Sequence, residues 1–179
     1  MRVIAGEFRS RPLVSVPGDA TRPTSDRMRE SLMNILQTRI RGAIFIDAYA
    51  GTGAVGIEAL SRGASHAYFL ENGRAALQAI GQNLAALKLQ LRATVYSGKA
   101  LATLERCPPG IVFLDPPYAL EEEYTAALDL LSRRADTLVI AQHPTRLQLQ
   151  DSYATLTRTR LVKQGDNALS FYAKLLPHP

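Results

Sequence analysis

Short apolar runs alternate along the chain with longer segments whose apolar positions recur every three to four residues. The runs predict buried strands, and the longer segments predict amphipathic helices. Strands are predicted at 44–46, 67–70, 93–96, 111–114, 138–140, 154–162 and 168–176. Helices are predicted at 55–62, 77–91, 101–105 and 121–131.

This alternation predicts an α/β fold with a mostly parallel sheet that helices cover on both faces. Only Gly165-Asp166-Asn167 separates the last two strands. Because a parallel connection needs a longer crossover, these strands are predicted to form an antiparallel hairpin at the sheet's edge.

The first 41 residues differ from the rest in pattern and in charge. Runs at 2–5 and 12–16 predict a small hairpin or an extended arm, and a helix follows that Thr24 or Ser25 caps. We therefore divide the chain into a basic extension, residues 1–41, and a main domain, residues 42–179, folded as one unit. The extension holds eight arginines against four acids. Arginine suits phosphate and base stacking, so nucleic acid is the predicted partner, with an ordinary solvated surface as the alternative.

Several function classes are disfavoured by composition. The single cysteine, Cys107, excludes an internal disulfide, and the three scattered histidines show no ligand spacing, so no metal site is predicted. The sequence has no signal peptide and no apolar stretch long enough for a membrane span. A cytoplasmic monomer is expected.

A glycine-rich loop follows the first strand. Ala50-Gly51-Thr52-Gly53-Ala54-Val55-Gly56 has the spacing of a dinucleotide-binding loop. Glu71 ends the next strand, where a carboxylate can bind a ribose diol. Both a nicotinamide dinucleotide and S-adenosylmethionine suit this arrangement. Asp47, at the end of the first strand, favours the second, because its carboxylate can bind the amino group of a methionine moiety.

Asp115-Pro116-Pro117-Tyr118 follows the apolar run 111–114. In open α/β sheets, ligands bind at the carboxyl ends of strands. The Asp115 carboxylate and the Pro116 carbonyl can accept the two hydrogens of an exocyclic amino group, and the Tyr118 ring can stack on the base. This tetrapeptide is the predicted catalytic motif. A simple strand-terminating turn is the alternative, since Asp-Pro and Pro-Pro are common in turns.

Together with residues 45–53, the tetrapeptide resembles class I methyltransferases that act on amino nitrogens. The stretches 2–11, 21–32, 56–64 and 165–172 are similar to bacterial 16S rRNA (guanine-N2)-methyltransferases of the RsmD type. The resemblance runs almost end to end. It implies a seven-stranded Rossmann-like sheet, S-adenosylmethionine as donor with S-adenosylhomocysteine as product, and a guanine of 16S rRNA, free or in an assembling small subunit, as acceptor. Asp47 and the loop Ala50-Gly51-Thr52-Gly53 would hold the methionine part, and Glu71 the ribose.

Two stretches of the predicted cofactor site depart from the family pattern. Lys99 precedes Ala100 where the family usually has Asp or Asn at the adenine edge. A lysine cannot accept the adenine amino hydrogens, so that contact must come from a backbone carbonyl or be lost. Asn72 follows Glu71 where the family often has lysine, and it can cap the next helix instead.

The RNA contacts are expected in the extension. Arg9, Arg11, Arg22 and Arg27 are the candidates for backbone phosphates. Thr24 and Asp26 are candidates for lining the site, although a helix cap explains them equally well. Three other functions stay open: a DNA adenine-N6 or cytosine-N4 methyltransferase, a nicotinamide-dependent oxidoreductase, and an RNA-binding protein of this fold without catalytic activity.

Overall fold

The computed structural model describes residues 1–16, 24–117 and 120–175. The chain forms two units, Met1–Cys107 and Pro108–Pro179. The predicted functional division at residue 41 does not coincide with this boundary and stays a prediction. No helix in the described part of the chain is both long and apolar enough to cross a membrane.

Three parallel strands form the sheet of the first unit. β1 (Ile44–Asp47) pairs with β2 (His66–Glu71), and β2 pairs with β3 (Ala93–Ser97). The core-facing side chains of β1 and β2, among them Phe45 and Phe69, are fully buried. Parallel strands of this kind are covered by helices, so their apolar runs are predictable from the sequence.

Four helices accompany these strands. They are α1 (Asp26–Ile35), α2 (Ala54–Ser61), α3 (Arg74–Ala86) and α4 (Ala100–Leu104), and a 3-10 turn at Gln90–Arg92 leads into β3. Ser25 rather than Thr24 caps α1, since its Oγ accepts a hydrogen bond of 3.2 Å from the Met28 N–H. This bond satisfies one of the free N–H groups at the helix start.

The predicted N-terminal hairpin is reduced to a single antiparallel bridge between Arg2 and Pro12. Val3 and Leu13 are buried and anchor the segment. Gly6 adopts a φ of +84°, and a Cβ there would lie 2.0 Å from the Ser61 carbonyl oxygen. The segment therefore packs directly on the end of α2, with no space for a side chain at Gly6.

The second unit contains β4 (Ile111–Leu114), α5 (Glu122–Ser132), β5 (Leu138–Pro144), β6 (Ser152–Tyr153), β7 (Leu156–Gln164) and β8 (Asn167–Lys174). Its strand order is β4-β5-β8-β7-β6. β4 and β5 are parallel, whereas β5–β8, β8–β7 and β7–β6 are antiparallel. The predicted C-terminal antiparallel hairpin is confirmed as β7 and β8.

The α/β fold class is confirmed, with differences in detail. The described residues contain eight strands rather than seven, and the additional one is the two-residue β6. β5 extends four residues beyond its predicted end at Ile140. Two of the four added residues, Gln142 and His143, are polar, and they are buried because Asp115 and Ser170 provide hydrogen-bond partners.

Candidate active site

The glycine loop after β1 has the backbone that its sequence predicts. Gly51 and Gly53 have φ values of +53° and +79°, in the left-handed region that favours glycine. At Gly56, an added Cβ would lie 2.4 Å from the Phe69 ring, so this glycine lets α2 approach the sheet closely. The loop therefore makes a tight turn, and α2 packs closely on the sheet.

The carboxylates of Asp47 and Glu71 accept hydrogen bonds from the backbone of this loop and of the start of α2. Asp47 is 1% exposed and its Oδ2 accepts the Gly56 N–H at 2.9 Å. Glu71 is half-buried; its Oε2 accepts the Gly51 N–H at 2.8 Å, and its Oε1 accepts the N–H groups of Asn72 and Gly73. Both acids therefore fix the backbone around the predicted cofactor position.

Backbone hydrogen bonds place Asn72 and the turn before Lys99 next to Glu71. Asn72 is exposed, and Gly73 rather than Asn72 occupies the cap position of α3, so the predicted Asn72 cap is wrong. The helix starts at Arg74, one residue later than a cap at Asn72 requires. The Gly98 N–H donates to the Glu71 carbonyl at 2.9 Å and brings the turn before Lys99 next to Glu71.

The Lys99 carbonyl accepts from the Thr103 N–H and hydroxyl, within α4. The Lys99 side chain is exposed, and Ala100 is buried at the start of that helix. The structure thus brings Glu71 and the Lys99 turn together, while the predicted roles of Lys99 and Ala100 toward adenine stay predictions.

Asn83 was not expected to bear on the site. Its side chain is 2% exposed. The Oδ1 atom accepts the Val14 N–H at 2.7 Å, and Nδ2 donates to the Thr52 carbonyl at 3.0 Å. It therefore ties the glycine loop to the N-terminal segment. The available signal was a polar residue between Ile80 and Leu84 on the buried face of α3.

In the second unit, Asp115 lies half-buried directly after β4. Its Oδ2 accepts a hydrogen bond of 3.0 Å from the Gln142 Nε2. Pro116 is buried and Pro117 is exposed, and the Pro117 carbonyl accepts the Leu120 N–H at 2.8 Å. That bond occupies the second of the two proline carbonyls. Tyr118 lies outside the described residues.

The basic extension presents only part of its arginines to solvent. Arg9, Arg11 and Arg27 are exposed, whereas Arg22 lies outside the described residues. A cavity of about 480 Å³ is lined by Arg9 and Arg27 together with Asp26, Arg2 and Glu30, among others. Thr24 is half-buried beside the start of α1, and neither Thr24 nor Arg11 lines this cavity.

Arg29 is the exception among these arginines because it is fully buried. Its Nη2 donates to the Arg2 carbonyl at 2.7 Å and to Asp26, and its Nε lies 3.9 Å from Glu58, which is also fully buried. Burial lowers the pKa of Arg29, and the charges of Glu58 and Asp26 oppose that effect. Arg29 is therefore a structural residue of the N-terminal segment.

Comparison with known proteins identifies the family. The model of the family described as "Conserved hypothetical protein 95" matches residues 1–173. The "Putative rRNA methyltransferase YlbH" of Bacillus subtilis (strain 168) is 35% identical over 183 residues, which cover 97% of this chain and 99% of that protein. The chain belongs to the RsmD-type methyltransferase family. This confirms the family predicted from the sequence.

Two other similar proteins agree. The "Ribosomal RNA small subunit methyltransferase D" of Escherichia coli (strain K12) is 42% identical over 120 residues, 66% of this chain and 60% of that protein. The solved structure described as "Putative methyltransferase yhhF from Escherichia coli" has 33% identity and a TM-score of 0.86, covering 97% of both chains. The fold of this chain is therefore that of a class I methyltransferase.

RsmD-type proteins, as class I methyltransferases, imply a cofactor of the S-adenosylmethionine type, and the residues of the first unit fit such a group. A Cβ built on Gly51 meets no atom within 4 Å, so the loop has open space on that side. Glu71 lies against Gly51 and accepts three backbone N–H groups, which leaves its Oε2 one lone pair for a ribose hydroxyl. The open space beside Gly51 and this carboxylate oxygen therefore fit the ribose of the cofactor.

Proposed function

We propose that this chain transfers a methyl group from S-adenosylmethionine to the exocyclic N2 amino group of a guanine in 16S rRNA. The observation that carries the proposal is the Asp115 carboxylate, fixed by an amide at the end of β4 and followed by two prolines. A carboxylate in this setting is an acceptor for an amino group rather than a ligand for phosphate. The YlbH and methyltransferase D relatives are named as rRNA methyltransferases, which supports rRNA as the substrate class.

In this proposal the first unit binds the methyl donor. Glu71 accepts a hydrogen bond from a ribose hydroxyl while it keeps the Gly51 backbone in place. Asp47 is too deeply buried to offer much surface, so its main effect is to fix the start of α2 through the Gly56 N–H. A contact of Asp47 with the methionine amino group stays a prediction.

The bound donor supplies an electrophilic methyl group on a sulfonium. The guanine amino nitrogen is a poor nucleophile because its lone pair is delocalised into the ring. Asp115 and the Pro116 carbonyl accept its two N–H hydrogens, which favours a pyramidal nitrogen and frees the lone pair. As the N–C bond forms and the S–C bond breaks, positive charge develops on nitrogen and the Asp115 carboxylate opposes it. The nitrogen then loses one proton to Asp115 or to water, and the sulfur leaves as a neutral thioether.

RNA binding is assigned to the exposed arginines of the extension. Arg9 and Arg27 share one cavity, and we propose that they bind backbone phosphates there. Arg11 and Arg22 are proposed as further phosphate contacts, and Thr24 and Asp26 as residues that line the RNA site. Replacing Arg27 with alanine should weaken binding of all RNA sequences alike and lower the salt dependence by about one phosphate contact. Arg133→Ala, an exposed arginine of the second unit, serves as the control.

The base must leave its stack to reach Asp115, since an amino group inside a duplex is not accessible. Tyr118 is proposed to stack on the extruded guanine. The choice of guanine over adenine or cytosine depends on the family resemblance, because the Asp115 carboxylate and the Pro116 carbonyl can accept hydrogens from any exocyclic amino group.

The test compares Asp115→Asn with Asp129→Asn, an exposed acid of the same unit. Asp115→Asn should lower the single-turnover rate of methyl transfer by about 100-fold or more, the scale of losing one electrostatic contact to the transition state. Binding of S-adenosylhomocysteine should not change, because the residues proposed to bind the methyl donor lie in the first unit. An unchanged rate of methyl transfer by Asp115→Asn would refute the role of Asp115 as acceptor for the guanine amino group. Tight binding of NAD without binding of S-adenosylhomocysteine would favour an oxidoreductase.

A further inference from the structure

Gln142 is the residue that contacts the proposed catalytic acid. Its Nε2 lies 3.0 Å from Asp115 Oδ2. The backbone places the two residues side by side, since Leu114 of β4 and Ala141 of β5 are register partners and Asp115 and Gln142 each come one residue later. The contact therefore follows from the pairing of two parallel strands rather than from a flexible surface encounter.

Other elements fix Gln142 as well. Its carbonyl accepts a hydrogen bond from the Tyr124 hydroxyl of α5. On its other side, β5 pairs with β8, where Gln142 is the partner of Leu169. The side chain is only 6% exposed, so its amide has little freedom to rotate away from Asp115.

The amide oxygen of Gln142 makes this position unfavourable for packing alone. Oε1 is buried, and it has no hydrogen-bond partner in the part of the chain that the structure describes. A buried acceptor without a partner is destabilising, whereas methionine or leucine would fill similar space without that penalty. What the glutamine provides and an apolar residue does not is the N–H donated to Asp115.

We propose that Gln142 is a positioning residue for methyl transfer, holding the Asp115 carboxylate in the orientation that receives the acceptor amino group. This inference rests on the proposed function. A neutral amide suits the role because it orients the carboxylate without cancelling its charge. An arginine or lysine would neutralise the negative charge that opposes the charge developing on nitrogen during transfer.

Two substitutions at this position separate positioning from packing. Gln142→Met keeps the length and removes the N–H. Gln142→Glu keeps the shape but places a second carboxylate against Asp115, and such a pair shares one proton. The matched control is Gln164→Met, since Gln164 also has a buried amide oxygen without a partner and lies at the far end of β7, next to the hairpin turn.

Gln142→Met should lower the maximal single-turnover rate about 10- to 100-fold, with the RNA concentration that gives the half-maximal rate unchanged, because a misplaced group weakens only interactions made in the transition state. Gln142→Glu should be active at low pH and lose activity as the shared proton is lost, in a range where the wild type is flat. The ionisable groups described near this position include Tyr124, His143 and Arg158. Burial lowers the pKa of His143, and the charge of Arg158 also lowers it.

The assay is single-turnover methyl transfer across pH, normalised to the folded fraction from S-adenosylhomocysteine binding and thermal unfolding. If both Gln142 variants have wild-type rates and pH profiles while Asp115→Asn is inactive, the inference about Gln142 is overturned and the proposed function stands. Loss of activity in Gln164→Met equal to that in Gln142→Met would also overturn it. Wild-type activity in Asp115→Asn, or no transfer by the wild type to any amino acceptor, would instead overturn the proposed function and the inference with it.

Discussion

Replacing Glu58 with glutamine should weaken the packing of the N-terminal segment, residues 1–16, on the rest of the first unit. The Glu58 carboxylate is fully buried and accepts the N–H groups of Ile4 at 2.8 Å and Ala5 at 3.0 Å. It also accepts the Arg62 Nε at 2.8 Å and lies 3.9 Å from the Nε of buried Arg29. A glutamine can accept some of these donors, but its NH2 group then faces another, and Arg29 loses its nearest buried counter-charge.

The expected loss of stability follows from the burial of the Glu58–Arg29 ion pair. Removing one partner of a buried ion pair destabilises a protein by about 3–5 kcal/mol, because the remaining charge is left buried without compensation. Total stabilities are about 5–15 kcal/mol, so this is a large fraction. For a chain of this size, each kcal/mol lowers the Tm by about 2–4 °C, which predicts a decrease of roughly 6–20 °C.

The assay is thermal and urea unfolding of Glu58→Gln beside Glu7→Gln. Glu7 lies in the same segment and pairs with Arg92 at 3.0 Å, but both side chains are partly exposed, at 59% and 34%. Exposed pairs contribute about 0–1 kcal/mol, so Glu7→Gln should change the Tm little. RNA affinity should fall with Glu58→Gln while binding of S-adenosylhomocysteine is retained. Equal effects of the two variants on Tm would refute the assignment of Glu58 as the anchor.

Three further predictions concern single positions. Gly56→Ala should destabilise the first unit by about 1–3 kcal/mol and weaken donor binding, because the new Cβ lies 2.4 Å from the Phe69 ring; an unchanged urea midpoint would contradict this. Asn83→Leu should weaken S-adenosylhomocysteine binding measured by calorimetry, since the Thr52 carbonyl loses its donor at 3.0 Å; wild-type affinity would show that the loop does not need this bond. His143→Gln should reduce the acid sensitivity of unfolding. The buried ring has a lowered pKa, so as pH falls below about 6.5 the unfolded state gains a proton that the native state does not, and the wild type loses stability; equal slopes of stability against pH in both proteins would contradict this.

The fold is largely predictable from the sequence because its signals are local. A buried strand such as Ile111–Leu114 is apolar throughout, and Gly51 and Gly53 mark the turn by their own conformational freedom. The end of β5 is not predictable in this way. Gln142 and His143 interrupt its apolar run, and they are buried because Asp115 and Ser170, both 27 residues distant along the chain, provide hydrogen-bond partners.

The candidate site is predictable in its motifs but not in its supporting contacts. Charge counting treats Arg29 as one more basic residue for RNA, yet the structure buries it against Glu58. The Asn72 cap is wrong because α3 begins one residue later than that cap requires, with Gly73 at the cap position. The error at Arg29 arises because a side chain's partner depends on which segments the fold brings together.

The central claim, methylation of a guanine amino group in small-subunit rRNA, is tested most directly by identifying the product. The full chain would be given S-adenosylmethionine with a tritiated methyl group together with 30S particles, free 16S rRNA or DNA, and the labelled nucleoside would be separated after digestion. The account predicts label in N2-methylguanosine from rRNA, and none with Asp115→Asn. Label only in N6-methyladenine or N4-methylcytosine from DNA would contradict it.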